Sequence, residues 1–329
     1  MSTAPNRDMP APMGKLPPNE WIWRDGEFIP WADANVHILA HSMQFGSAAF
    51  EGIRCYATPR GPAIFRLEDH LVRLINSIKI YRMEIKYTVD DLVAVACELI
   101  ERNKMEAAYL RPMVLRGFGA SGMVPFASPV ETYFPCWKWG TYHGEKALNE
   151  GIDACVSSWV RNAPNTTPAG AKIAGNYLSS QLIKMEALVN GFDEGIALDT
   201  EGRLAECSGQ NLFLVSRGTL YTSPINGSLL PGITRNTILT FAQDAGIPIR
   251  EIVLPREAIY TADEAFMTGT AAEVTPVRTV DKIPIGSGKP GPITQQLQRA
   301  YLQTVHGELE DKHGWLTYVK AERASAARS

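Results

Sequence analysis

The chain has 329 residues, enough for two domains that each bury a core. Hydrophobic residues make up 45 % and charged residues 20 %, an ordinary composition for a globular protein. The formal charge of −3 argues against a nucleic-acid surface, and no apolar run reaches the roughly 20 residues of a bilayer span. Residues 1–18 are rich in Pro, Ala and Met and lack a signal peptide's apolar stretch, so they read as a mobile tail. Strand-like pieces follow at Glu27–Trp31, Gly52–Ala57 and Ala63–Leu67. A helix from about Glu68 to Arg82 carries Leu71, Leu74, Ile75 and Ile78 on one stripe. Asp90–Asn103 reads as a second helix and Ala108–Leu115 as an apolar strand. From Arg116 to Glu150, Gly, Pro and aromatic residues dominate without periodicity, which predicts a loop and domain connection.

The second half opens on a strand at Ile152–Val160 and a loop at Arg161–Ala171. A helix from about Asn176 to Asn190 stops at Gly191. Strands follow at Glu194–Asp199, Asn211–Ser216 and Thr219–Thr222, the last two joined through a hairpin signal, Arg217-Gly218. A helix over about Thr234–Ala245 precedes strands at Arg250–Val253 and Ala265–Thr268. This mixture predicts an α+β fold with a small domain over 19–135, a connection over 136–148 and a large domain over 149–329. Five scattered cysteines without a Cys-x-x-Cys pair fit reduced thiols in a cytoplasmic protein.

Two patterns point away from their usual meanings. Gly117–Gly122 spells G-x-G-x-x-G after a strand, but Met123, Val124 and Pro125 stand where a dinucleotide site needs a helix. His37 and His41 have helical metal-ligand spacing but no third ligand cluster, so they read as structural.

Four segments carry chemistry together. The loop Pro164–Lys172 is dense in turn residues and ends in a lysine among Ala, Gly and Ile. Apolar surroundings desolvate an amine and favour its attack on a carbonyl to form a Schiff base. Leu230–Arg235 enters a helix whose free N–H groups, with the Thr234 hydroxyl, suit a phosphate, and Thr268–Ala272 offers a second Thr/Gly turn. Glu206 sits beside small residues before a strand, where a pyridinium nitrogen finds an acidic partner. Taken singly, each also reads as an ordinary surface lysine, turn or loop carboxylate.

The strings Phe50–Tyr56, Ala163–Thr166, Gly175–Ser180, Pro231–Arg235 and Gly269–Arg278 resemble bacterial branched-chain amino-acid aminotransferases, fold-type IV enzymes that use pyridoxal 5'-phosphate. The resemblance runs in order from about Glu20 to Leu316. It implies that Lys172 is the Schiff-base lysine, Glu206 the partner of the pyridine nitrogen and Tyr177 the partner of the phenolic oxygen. Arg73, Ile233, Thr234 and Thr270 then hold the phosphate. Tyr109 and the amides of Ala271 and Ala272 lie near the substrate α-carboxylate, bordered by Arg111 and Arg54. Phe50, Trp139, Tyr142 and Tyr177 wall the side-chain pocket, and Val124 lies on a loop expected to enter the neighbouring subunit's site. Phe45 stands where relatives often carry tyrosine.

The activity implied is ping-pong transamination of L-leucine, L-isoleucine and L-valine with 2-oxoglutarate, Lys172 moving the proton. The partners implied are small amino acids and 2-oxo acids, with no nucleic acid and no membrane, in a homodimer or a homohexamer of three dimers. Alternatives are a D-amino-acid or R-selective amine aminotransferase, a related lyase, or a catalytically silent binding protein.

Overall fold

The computed structural model describes residues 19–139 and 144–320; the 1–18 tail and Tyr142 lie outside the described residues. Beyond a short helix at His41–Phe45, α1 spans Leu67–Ile80 and buries Leu67, Leu71, Leu74 and Ile78, a spacing that lines up one face of a 3.6-residue repeat. Glu68 and Asp69 in its first turn and Lys79 in its last complement the helix dipole. The helix α2 spans Val89–Arg102 and starts on a reciprocal cap. The Thr88 side chain accepts from the Asp91 amide at 3.2 Å, and the Thr88 amide donates to Asp91 at 2.8 Å.

These helices cover two five-stranded antiparallel sheets. One runs in the order Glu27–Pro30, Trp21–Arg24, Val130–Phe134, Met113–Arg116, Ala48–Phe50. The other runs Leu316–Tyr318, Ala63–Phe65, Ile53–Tyr56, Ala108–Leu110, Cys136–Trp137. The C-terminal strand therefore pairs with the first half, Leu316 opposite Phe65, although its sequence position placed it in the large domain. A nine-stranded mixed sheet forms the second half. Its path is Leu204–Cys207, Glu194–Leu198, Ile152–Val156, Glu273–Val280, Glu264–Gly269, Asn211–Ser216, Thr219–Thr222 and Ile249–Glu251, with Ile283–Pro284 added against Glu273–Val280.

The segment Arg116–Glu150, expected as loop, holds the strands Val130–Phe134 and Cys136–Trp137 and a helix over Gly144–Glu150. The strands form through pairing with distant partners, Trp23 opposite Phe134 and Tyr109 opposite Trp137, which no local period announces. The strand Glu273–Val280 and the helix Pro292–Val305 also carry no strong local signal. The helix is rich in Gln and Thr, and only part of one face is apolar: Leu297, Tyr301 and Val305 are buried.

One apolar core lies within the first half around Ile53, Leu71, Leu99 and Phe134, and another lies inside the nine-stranded sheet around Ile196, Leu212 and Met267. A third joins the halves: Tyr56 and Phe65 pack with Phe213, Phe266, Leu297 and Tyr301. Among the described residues no helix is long and apolar enough to cross a membrane. Phe266 is fully buried, its ring stacked on Phe213 at 5.0 Å. Phe266→Ala is expected to cost about 3–5 kcal/mol of unfolding free energy, read from the urea midpoint.

Candidate active site

A cavity of about 540 Å³ opens between the two halves. Lys172 reaches into it from the end of the 161–171 loop, and its backbone is fastened to the first half. The Lys172 amide donates to Ser77 Oγ at 3.0 Å, its carbonyl accepts from the Phe50 amide at 3.0 Å, and Ile173 bridges to Ala49. The Nζ hydrogen-bonds the Tyr177 hydroxyl and stands 4.8 Å and 4.7 Å from the ring centres of Phe50 and Tyr177. Tyr177 begins the helix Tyr177–Val189, one turn beyond the lysine.

Glu206 forms one end of the cavity and is 4 % exposed. Its Oε1 lies 2.8 Å from Arg161 Nη2, and its Oε2 accepts from Asn211 at 3.1 Å and from the Leu230 amide at 3.2 Å. Burial pushes the Glu206 carboxyl up, and Arg161, the Leu230 amide and Lys172 only partly oppose this. A carboxylate has about four acceptor positions, so these contacts leave room for one more donor from the cavity. Arg161 is itself held by Ser180 Oγ at 2.9 Å.

Another part of the cavity wall is built for an anion. Arg73 turns the edge formed by Nε and Nη2 to Glu51, at 2.6 and 2.8 Å, and donates through Nη1 to the Pro231 carbonyl at 3.0 Å. Glu51 is fully buried and also bonds His70 Nδ1 at 2.7 Å. Burial alone would raise Glu51, but Arg73 and His70 outweigh it and hold the carboxyl well below the usual range. The helix Ile233–Asp244 starts at the same place, with Gly232 before it and no side-chain cap on its N-terminus. Gly232 has no room for a side chain, since a Cβ would lie 1.9 Å from Asn211 Oδ1. Arg66 holds this helix from the first half, donating to the Ile233 carbonyl, Asn236 and Thr237 at 3.3, 2.7 and 3.1 Å.

Thr268 Oγ1, buried in the cavity wall, has no hydrogen-bond partner among the described residues. Such a group calls for a ligand oxygen or a water. An uncapped helix end, an arginine, an unpartnered hydroxyl, an amine and a buried carboxylate in one cavity fit the phosphate, carbonyl and ring nitrogen of pyridoxal 5'-phosphate.

Phe50, Tyr109, Arg111 and Trp139 line the side facing away from the helix end, and Ile233, Thr234, Thr270, Ala271 and Ala272 also lie in the wall. Tyr109 stacks on Trp139 at 4.6 Å, and its hydroxyl occupies the space a side chain at Gly52 would take. The Arg111 guanidinium lies over Phe50 at 4.9 Å and Tyr109 at 5.3 Å, with its buried Nε lacking a partner among the described residues. Arg54 stands behind the wall, paired with Glu273 at 2.8 Å, because a buried glutamate there claims it. Val124 and Phe45 are exposed and outside this cavity's wall.

Glu51, His70, Arg161, Ser180 and Asn211 hold the site without having been singled out in the sequence. Arg161 could have been found, since it opens the Lys172 loop. Gly117–Gly122 makes no phosphate cradle. The glycines instead admit the chain at 127–131: a Cβ on Gly119 would lie 2.4 Å from the Ala127 carbonyl and one on Gly117 2.0 Å from Glu131. His37 and His41 turn to different neighbours, Phe118 and Ser47.

A carboxyl held low in the folded state adds stability above its unfolded value, and that contribution is lost as pH falls through the folded value. The wild-type chain should therefore lose stability progressively below about pH 4.5, the ordinary glutamate value. Glu51→Gln, which cannot titrate, should lose less over the same acid interval, as urea midpoints taken across it will show.

The class IV amino-transferase family matches residues 48–280. The branched-chain-amino-acid aminotransferase of Escherichia coli strain K12 is 47 % identical over 301 residues, covering 91 % of this chain and 97 % of that protein. A crystal structure of the Escherichia coli enzyme superposes with a TM-score of 0.90 at 46 % identity, over 92 % of this chain and 100 % of that one. A T.th. branched-chain amino acid aminotransferase solved with pyridoxamine 5'-phosphate superposes at 0.89 with 43 % identity, over 92 % and 99 %. With the cavity arranged as described, these likenesses establish that the chain belongs to the class IV aminotransferases.

Proposed function

We propose that this protein transaminates L-leucine, L-isoleucine and L-valine with 2-oxoglutarate, using pyridoxal 5'-phosphate. The observation that carries the reading is the single cavity in which Lys172 stands with a buried carboxylate, Glu206, and with the anion end at Arg73 and Ile233. When bound, the cofactor supplies a carbonyl carbon for amine exchange and a ring that takes up the electrons released at the substrate.

In this reading the Lys172 Nζ would hold the cofactor and would move the proton leaving the substrate α-carbon. The Tyr177 hydroxyl orients that Nζ and the phenolic oxygen. Glu206 holds the proton on the ring nitrogen. Arg73, the free amides at Ile233 and Thr234, and Thr270 hold the phosphate; Thr268 belongs with them because its buried hydroxyl has no other partner among the described residues. Tyr109 and the amides of Ala271 and Ala272 receive the α-carboxylate. Phe50, Trp139 and Tyr177 enclose the aliphatic side chain, and Arg111 takes the second carboxylate of glutamate.

The homodimer is the minimal unit proposed. Met123, Val124 and Phe126 form an exposed apolar stretch that suits entry into a neighbouring subunit. The five unpaired cysteines suit a reducing cytoplasm.

The deciding experiment is a spectrum of the cofactor-loaded protein before and after L-leucine, with detection of the 2-oxo acid. L-leucine should shift the near-visible band and release 4-methyl-2-oxopentanoate, while D-alanine and an R-amine leave the band unchanged. A response to either of those in place of L-leucine would sink the reading. Lys172→Ala should lose both the band and all transamination.

A further inference from the structure

The Thr270–Ala272 turn closes the hairpin between the strands Glu264–Gly269 and Glu273–Val280, with Gly269 opposite Glu273. Glu273 leaves the turn with a φ of +56°. Hairpins usually give such a left-handed position to glycine, because a Cβ is penalised there. A glutamate holds it only where its surroundings enforce the conformation, and residues held this way gather at functional sites.

The surroundings are specific. Glu273 Oε1 lies 2.8 Å from Arg54 Nη1 and accepts from the Tyr56 hydroxyl at 3.0 Å. Arg54 and Tyr56 are two apart on the strand Ile53–Tyr56, so their side chains leave the same face. The Arg54 guanidinium also lies over the Tyr56 ring at 4.6 Å, so the two arms brace each other. The Tyr56 hydroxyl has one proton, and Glu273 takes it. Tyr301, whose hydroxyl is 3.2 Å away, must then donate to Tyr56.

We propose that Glu273 is a positioning residue whose buried carboxylate, clamped by Arg54 and Tyr56, aims the amides of the Thr270–Ala272 turn at a substrate carboxylate. The proposal rests on the reading of the cavity as an amino-acid site. Thr275 Oγ1 fastens the Ala272 carbonyl at 2.7 Å, which ties down one side of the turn and leaves its tilt to Glu273. A glutamate present merely to neutralise Arg54 would matter to folding. It would not affect how well the cavity tells a carboxylate from its amide.

The test is calorimetric binding of 4-methylpentanoate and of 4-methylpentanamide to the cofactor-loaded protein. Glu273→Gly accepts the left-handed backbone freely but has no carboxylate to clamp. Its preference for the acid over the amide should fall about tenfold, with amide affinity kept within about twofold. Tyr56→Phe removes one hydroxyl and keeps every charge, and its preference should fall about threefold. It decides the matter if the glycine variant does not fold. A wild-type preference retained in either folded variant overturns the proposal, as does an equal loss for acid and amide. A wild-type protein that does not prefer the acid sinks the reading of the cavity, and this proposal with it.

Discussion

The most deeply buried glutamates of this protein each need a matching cation, and the matches build the cavity. Glu51, Glu194, Glu206 and Glu273 are all at most 4 % exposed. A carboxylate removed from water loses several kcal/mol of hydration, which an ion pair with further hydrogen bonds can recover. Arg73 answers Glu51, Lys184 answers Glu194, Arg161 answers Glu206 and Arg54 answers Glu273. The Arg54 pair crosses between the first half and the nine-stranded sheet, and the Arg73 guanidinium does so through the Pro231 carbonyl. These pairs fix where the two halves meet.

The same matching explains which lysine is left for chemistry. Once Arg54, Arg73, Arg161 and Lys184 are committed, Lys172 is the cavity lysine without an acidic partner within ion-pair distance among the described residues. Its amine contacts a tyrosine hydroxyl and two ring faces. Nothing in that environment has to be broken, other than one hydrogen bond, for the amine to bond to carbon. Its own backbone is meanwhile held by Ser77 and Phe50, so the side chain swings from a fixed base.

What was legible in the sequence follows from how local each signal is. α1 could be read because its apolar spacing lies within one segment, and α2 has its cap as well as its apolar positions within one segment. The strands in 116–150 could not, because strands of only a few residues form when partners from far along the chain arrive. The resemblance puts Arg54 at the border of the substrate carboxylate site. Only the fold shows Glu273 claiming it from behind the wall. Glu51 stood unremarked between two residues of interest, since nothing local says that a glutamate will be buried or which arginine it will orient. Lys172, Glu206 and Thr234 were readable as types of group, a lysine in an apolar turn, an acid before a strand and a helix start. That they share one cavity is a tertiary fact.

The cavity must admit two unlike side chains, one aliphatic and one ending in a carboxylate. Shape alone discriminates weakly, about 1–3 kcal/mol per methylene, so an aromatic wall accepts leucine, isoleucine and valine with overlapping strength. A lysine at the rim would present a strongly hydrated charge to every aliphatic substrate. A guanidinium set over ring faces behaves differently. Its faces are weakly hydrated and pack against carbon, while its edge carries all the N–H donors. Arg111 is placed this way, over Phe50 and Tyr109, with a buried Nε still free of protein partners among the described residues. In the proposed reaction it therefore costs little when a leucine side chain lies against the wall and becomes a directed donor when a glutamate carboxylate arrives. In that proposal one residue serves both half-reactions.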